Sequence, residues 1–166
     1  LLCAKDIDAS CKLESNYSFL QHYDNFKIKI FNESKSLSII SFYDEYPWKA
    51  WIIENVQIIL EGYIYNFSID DLESEINEIA LRFSRNEEVN TLISNFVDNA
   101  DGDFIVQLTD NKNNKSIVFN DYWGRLSFFY YSDITQFIAG REYKFFFDFL
   151  PKIEFNKLAL VEYLML

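Results

Sequence analysis

Ile59-Leu-Glu-Gly-Tyr-Ile-Tyr-Asn66 is the stretch on which the reading of the fold turns. It belongs to a run of strand-forming residues from Gln57 to Tyr65, rich in β-branched and aromatic side chains. Upstream, Ala50 to Glu54 reads as a partner strand, joined to it across Glu54-Asn55. Further upstream, Leu37 to Tyr43 is denser in apolar residues and is expected to be buried on both faces. Phe26 to Phe31 alternates apolar and polar, the mark of a half-buried strand. Asn32 to Ser36 make the turn between those two, and Asp44-Glu-Tyr-Pro47 ends the second of them. Residues 1 to 25 carry no legible pattern.

Downstream of Asn66 the period changes. Asp70-Asp-Leu-Glu73 has the chemistry of a helix start, an acid at the cap with Glu three residues on. Leu72, Ile76, Ile79, Ala80 and Phe83 then follow at helical spacing. Ser84-Arg85-Asn86 interrupts, and Val89, Leu92, Ile93, Phe96 and Val97 mark a second amphipathic helix. Strand signals return after Ala100-Asp-Gly102, at Phe104 to Leu108, Lys115 to Phe119, Leu126 to Tyr131 and Gln136 to Ala139. Asn111 to Asn114 and Ser132-Asp133 supply hairpin turns. Asp121 and Gly124 set a further turn, and Asn156 to Leu166 reads as a helix. Strands on either side of a helix pair predict an α+β fold.

The 166 residues suffice for one domain with a sizeable core, and the 17 Phe and 11 Tyr call for a folded one. A net charge of −11 sets the surface against nucleic acid and anionic membranes, whose phosphates would repel it. No apolar run approaches the ~18 residues of a membrane span, and no secretory signal opens the chain. Cys3 and Cys11 make no disulfide framework, and one His with two Cys supplies no zinc site. A cytoplasmic setting is expected.

Several motifs, in order, resemble the class-II glutamine amidotransferase domain of asparagine synthetases. Glu61-Gly-Tyr-Ile-Tyr-Asn66 resembles the end of that family's Leu-Asn-Gly-Glu-Ile-Tyr-Asn signature. Ser36-Leu-Ser-Ile-Ile40 resembles its Arg-Leu-Ser-Ile-Ile strand, and Arg85-Asn-Glu-Glu-Val89 stands where it has Ser-Asp-x-Glu-Val. Ala100-Asp-Gly-Asp-Phe104 with Thr109-Asp110 is similar to Leu-Asp-Gly-x-Phe and Trp-Asp. Asn120-Asp-Tyr-Trp-Gly124 with Phe128 to Tyr131 is similar to Arg-Asp-x-x-Gly and Pro-Leu-Tyr-Tyr. The resemblance covers residues 36 to 166. It implies the N-terminal-nucleophile hydrolase fold, a four-layer αββα sandwich of two antiparallel sheets between helices. The amidotransferase-like domain would span residues 1–150. Residues 151–166 would begin the connection to a synthetase-like domain.

The family releases ammonia from glutamine with an N-terminal Cys whose own α-amine is the base. Its Asn-Gly pair holds the oxyanion, and loss of one such donor costs ~100- to 1000-fold in rate. On that pattern the resemblance predicts an inactive, degenerate glutamine pocket at Ser36, Glu61, Gly62, Tyr63 and Asn86. Cys3 follows Leu1 and Leu2, so its nitrogen is an amide; it is catalytic only if processing exposes it. Ser36 replaces the carboxylate-binding Arg, and lacks a guanidinium's bidentate fork. Glu61 replaces the oxyanion Asn with a carboxylate that would repel the developing charge. Gly62 is retained and could still offer its N–H. Tyr63 replaces the substrate-gripping Glu, and Asn86 the ammonium-binding Asp. Gln21 to Asp24 is a faint echo of the family's Arg-Gly-Pro-Asp loop.

The function implied is that of an inactive domain of an ATP-dependent amide-forming enzyme, shielding or positioning its substrate. No cofactor is expected here; ATP and magnesium would belong to a downstream domain, since no Ser-Gly-Gly-x-Asp-Ser signature occurs. Partners would be that domain or another protein, with a homodimer possible. Two further readings stay open: a glutaminase using Cys3 after trimming, and a free-standing protein-binding module. Of the remaining residues, Cys11 reads as a small buried apolar residue and His22 as an ordinary loop histidine. Asp98, Asp101 and Asp103 faintly resemble a calcium loop without its closing Glu. Tyr46, Trp48 and Trp51 read as core packing or a sheet cover before a partner surface. The aromatics of Tyr143 to Phe149 read as a local core before an interdomain face.

Overall fold

The computed structural model describes residues 2–5, 24–33, 36–134, 136–146, 150 and 156–165. Cys11, His22, the Gln21–Tyr23 part of the faint loop echo and Phe147 to Phe149 lie outside the described residues. Five strands form one antiparallel sheet: β1 (Leu2–Lys5), β2 (Lys27–Glu33), β3 (Ser36–Phe42), β8 (Phe129–Ser132) and β9 (Phe137–Gly140), in the order β2-β3-β1-β9-β8. Four form a second: β4 (Trp48–Ile53), β5 (Val56–Ile64), β6 (Gly102–Asp110) and β7 (Lys115–Asn120), in that order. Two helices, α1 (Ile69–Ser84) and α2 (Asn90–Asn99), separate β5 from β6, and α3 (Lys157–Leu164) follows the strands. The fold is therefore α+β, with antiparallel pairing throughout the described ladders.

Alternation along β5 and β6 sends side chains into two different layers. Val56, Ile58 and Leu60, with Phe104, Val106 and Leu108, meet Ile76, Ile79, Ala80 and Phe83 of α1 and Phe96 of α2. This is the main core. The intervening residues Ile59 and Ile105 pack on the other side, against Phe31 of β2 and against Leu126 and Phe128. Gln107 is fully buried there and donates to Ser38 Oγ of β3 at 2.6 Å and to Thr109 Oγ1 at 2.9 Å. The two sheets thus face each other through a mixed apolar and polar layer, and the helix pair covers the far side of the second sheet.

Trp48 and Trp51 divide between those layers. Trp48 lies against Phe42 and Phe31 of the first sheet, with ring centroids 4.8 and 6.4 Å away. Trp51 donates its indole N–H to Asn77 of α1 at 2.8 Å. Both are packing residues, as the sequence favoured.

Several element ends differ from the sequence reading. β1 emerges from the stretch with no legible pattern and becomes the centre of its sheet, paired with β3 on one side and β9 on the other. A four-residue Leu-Cys-Ala-Lys strand shows too little alternation to announce itself; its neighbours define it. α1 begins two residues early, because Ser68 and not Asp70 is its cap: Ser68 Oγ accepts from the Asp71 N–H at 3.1 Å. β8 begins only at Phe129, because the Asp121 turn holds the chain through Arg125. The β6–β7 hairpin is tied by Asp110, fully buried, whose carboxylate accepts from the N–H groups of Lys112 and Asn113 at 3.0 and 3.1 Å. No described helix is long and apolar enough to cross a membrane.

Replacing Ser68 by Ala removes the α1 cap and is expected to cost about 1 kcal/mol in chemical denaturation, whereas Asp70→Asn should cost far less.

Candidate functional site

The predicted pocket residues fall at two opposite ends of the β5–β6 ladder. Val56 pairs with Asp110 at one end and Glu61 with Ile105 towards the other. Ser36, at the start of β3, is buried and donates its hydroxyl to Asn111 Oδ1 at 3.1 Å, beside the β6–β7 turn. Asn86 is in the left-handed region at φ 62° between the helices, and its side chain accepts from Lys115 Nζ, at that same end. Glu61, Gly62 and Tyr63 lie at the far end. Among the described residues, the structure brings Ser36 and Asn86 to one turn and Glu61 to Tyr63 to another. Cys3 lies in β1 at the register position of Ser38 and Ala139, with Leu2 also inside the ladder.

Glu61 sits on the face of β5 that meets the first sheet, its side chain 2 % exposed. A carboxylate so far from water needs partners. Two come from separate parts of the chain. Tyr46, in the loop before β4, donates its hydroxyl to Glu61 Oε1. Arg141, immediately after β9, donates from Nη1 to the same oxygen at 2.6 Å and to the Tyr46 hydroxyl oxygen at 2.8 Å. Its side chain is 33 % exposed, and its buried Nε has no hydrogen-bond partner. Three elements are thereby tied across the two sheets by one carboxylate.

The electrostatics follow. Burial opposes the Glu61 anion, yet its carboxyl is held below the usual carboxylate range; among the described groups the Tyr46 hydroxyl and the Arg141 guanidinium stabilise the charge. Burial and the adjacent Glu61 carboxylate push the Tyr46 phenol well up. Burial works against the Arg141 charge, but Glu61 outweighs it and keeps the guanidinium protonated. The arrangement is a buried anion tied to a phenol and a guanidinium, and it joins three parts of the chain.

Gly62 corrects a specific expectation. Its N–H donates to the Pro47 carbonyl at 2.8 Å, extending the β4–β5 ladder past Trp48 and Glu61. That donor is used and does not face an open site. Gly62 adopts φ 98°, and a Cβ there would lie 1.9 Å from the Asp103 carbonyl oxygen, so glycine is required by sheet geometry alone. Tyr63 is more than half exposed and stacks on Tyr65, centroids 6.3 Å apart.

Arg141 is the member the sequence did not reveal. A carboxylate inside a predicted strand signals that a cation must be near. Nothing in the order of residues says which, and the partner lies 80 positions away. Among the described residues no three His, Cys, Asp or Glu side chains are grouped as a metal site. No known family model matches the chain, and no curated protein matches it either.

Arg141→Met should cost about 3 kcal/mol, towards the low end for breaking a buried pair because the arginine is partly solvated. Glu61→Met with Arg141→Met together should recover much of that loss, measured by urea denaturation. The wild-type contribution also has a pH signature. The folded Glu61 pKa lies below the unfolded value, so its stabilisation is complete above about pH 4.5 and is lost as pH falls below that. Glu61→Gln should flatten that acid limb while leaving the neutral-to-alkaline limb parallel to wild type.

Proposed function

We propose that this chain is a catalytically inactive glutamine-amidotransferase-like domain with the four-layer sandwich of N-terminal-nucleophile hydrolases. It serves a larger ATP-dependent amide-forming enzyme by scaffolding or substrate positioning. Support for the kinship comes from the ordered motifs and from two facing antiparallel sheets with a helix pair outside one of them. The observation that carries the inactive reading is the state of Glu61 and Gly62. At the position matching the oxyanion asparagine there is a buried carboxylate already neutralised by Arg141, and the following N–H is bonded to Pro47. Amide hydrolysis needs donors aimed at the new oxyanion, and a fixed negative charge there raises the barrier instead.

The position of Cys3 adds to this. A nucleophile whose base is its own α-amine must end the chain and face a cavity. Cys3 instead lies within β1, with Leu2 before it paired to Ile39 and Gly140. An amide-forming synthetase whose substrate already carries its nucleophilic amine has no need of released ammonia. A domain in that setting can lose its glutaminase groups and keep its fold.

The test is ammonia release from glutamine by the full chain, together with labelling by a diazo-ketone glutamine analogue read by mass spectrometry. Neither ammonia above the buffer rate nor a Cys3 adduct is expected. A stoichiometric Cys3 adduct with glutamine turnover, in this chain or in one trimmed to begin at Cys3, would overturn the reading.

A further inference from the structure

The same end of the second sheet carries an outer surface unrelated to the Glu61 tie. Asp121 follows β7, and its N–H donates to the Phe104 carbonyl at 3.1 Å. Its buried carboxylate accepts from the Trp123 N–H at 3.0 Å and the Arg125 N–H at 3.1 Å, and Gly124 closes the turn at φ 62°. This turn is fixed by its backbone, yet it presents Tyr122 and Trp123 to solvent at 67 % and 74 % exposure, their rings edge-on at 5.3 Å. Large aromatic rings on a rigid mount lose little entropy when a partner covers them. Tyr63 and Tyr65 continue the surface: Tyr65 donates its hydroxyl to Asp103 at 3.1 Å, and Arg125 reaches Asp103 from the other side, also at 3.1 Å.

Between this turn and the end of α2 lies a cleft of about 300 Å³, bordered by Asp98, Asp101, Tyr122, Trp123 and Arg125. Three features give it a preference for positive charge. It faces the carbonyl end of α2, the negative pole of the helix dipole, whose last turn has no basic residue and carries Asp98 instead. Asp98 and Asp101 add formal charge. Trp123 offers an indole face, the strongest of the cation-binding rings. Among the described residues the one bordering cation, Arg125, is already engaged by Asp103, by the Gly102 carbonyl at 3.2 Å and by Asp101 at 3.5 Å.

We propose that this cleft is a docking site for a lysine or arginine side chain presented by a protein or peptide partner. Charge complementarity selects the cation. The extent of exposed ring around the cleft, with Tyr63, Tyr65, Tyr122 and Trp123 each more than half exposed, selects a polypeptide over a small free cation, which would leave most of that surface uncovered. The inference stands apart from the amidotransferase reading and holds whether or not that reading survives.

The test is a titration of the full chain, followed by the three indole N–H signals in NMR. The probes are acetylated, amidated Gly-Gly-Arg-Gly-Gly, its lysine and glutamine analogues, and tetramethylammonium. Trp48 and Trp51, packed in the fold, serve as internal references. The arginine and lysine peptides should shift the Trp123 signal saturably and the glutamine peptide should not. Asp98→Asn should weaken the effect about threefold and salt should weaken it further, while Glu75→Gln on α1 leaves it unchanged. Trp123→Ala, followed through the Arg125 backbone amide, should weaken it about fivefold. An equal response to the glutamine peptide, indifference to Asp98→Asn, or no saturable response to the arginine peptide overturns the proposal. Tetramethylammonium binding as tightly as the arginine peptide would also overturn it, by reassigning the cleft to small cations.

Discussion

One carboxylate holds the two sheets in their relation to each other. Glu61 is anchored in β5, at the heart of the second sheet; Arg141 follows β9 of the first; Tyr46 belongs to the loop that leads from the first sheet into the second. Apolar contacts between the sheets at Ile59 and Ile105 are non-directional and would tolerate sliding. The Glu61 contacts are directional, and with Gln107 reaching Ser38 they give the interface a register. A buried ion pair of this kind contributes little net stability against an apolar replacement, but losing one partner alone is costly. It acts as a locator more than as a source of cohesion.

That constraint also bears on chemistry. A site for acyl transfer needs donors that are unspent in the resting protein. Here the Tyr46 hydroxyl and Arg141 Nη1 are committed to the carboxylate, and the Gly62 N–H to Pro47. The group that fixes the sheets occupies the place where the proposed relatives would stabilise an intermediate. On the proposed reading, inactivity and structural integrity are one property of Glu61, and replacing it by Asn alone would orphan Arg141 without freeing the Gly62 N–H.

The helix pair was legible because its signal is local. Ile76, Ile79, Ala80 and Phe83 repeat at helical spacing, and those are the residues α1 buries. β3 was legible for a related reason: an apolar run in Leu37 to Ile40 fits a strand covered on both faces, and these residues are buried. The α1 boundary differs by two residues because Ser68 and Asp70 both have capping chemistry, and only the backbone decides between them. β1 was invisible because a strand that short takes its identity from its neighbours. The site was least legible of all. Motif order aligned Ser36 and Asn86 with Glu61 along the sequence, but the ladder sets them at opposite ends. The Glu61–Arg141 contact depends on chain closure over 80 positions, and no periodicity encodes it.

The most direct measurement is the titration of the Glu61 side-chain carboxyl by carbon NMR on selectively labelled protein. An ionised carboxylate held by Arg141 and Tyr46 should titrate below an ordinary glutamate and should move upward when Arg141 is replaced by Met. A midpoint at or above about 4.3, the value of an unperturbed glutamate, or no response to that replacement, would show that the carboxylate is not the fixed anion on which this account of the fold rests.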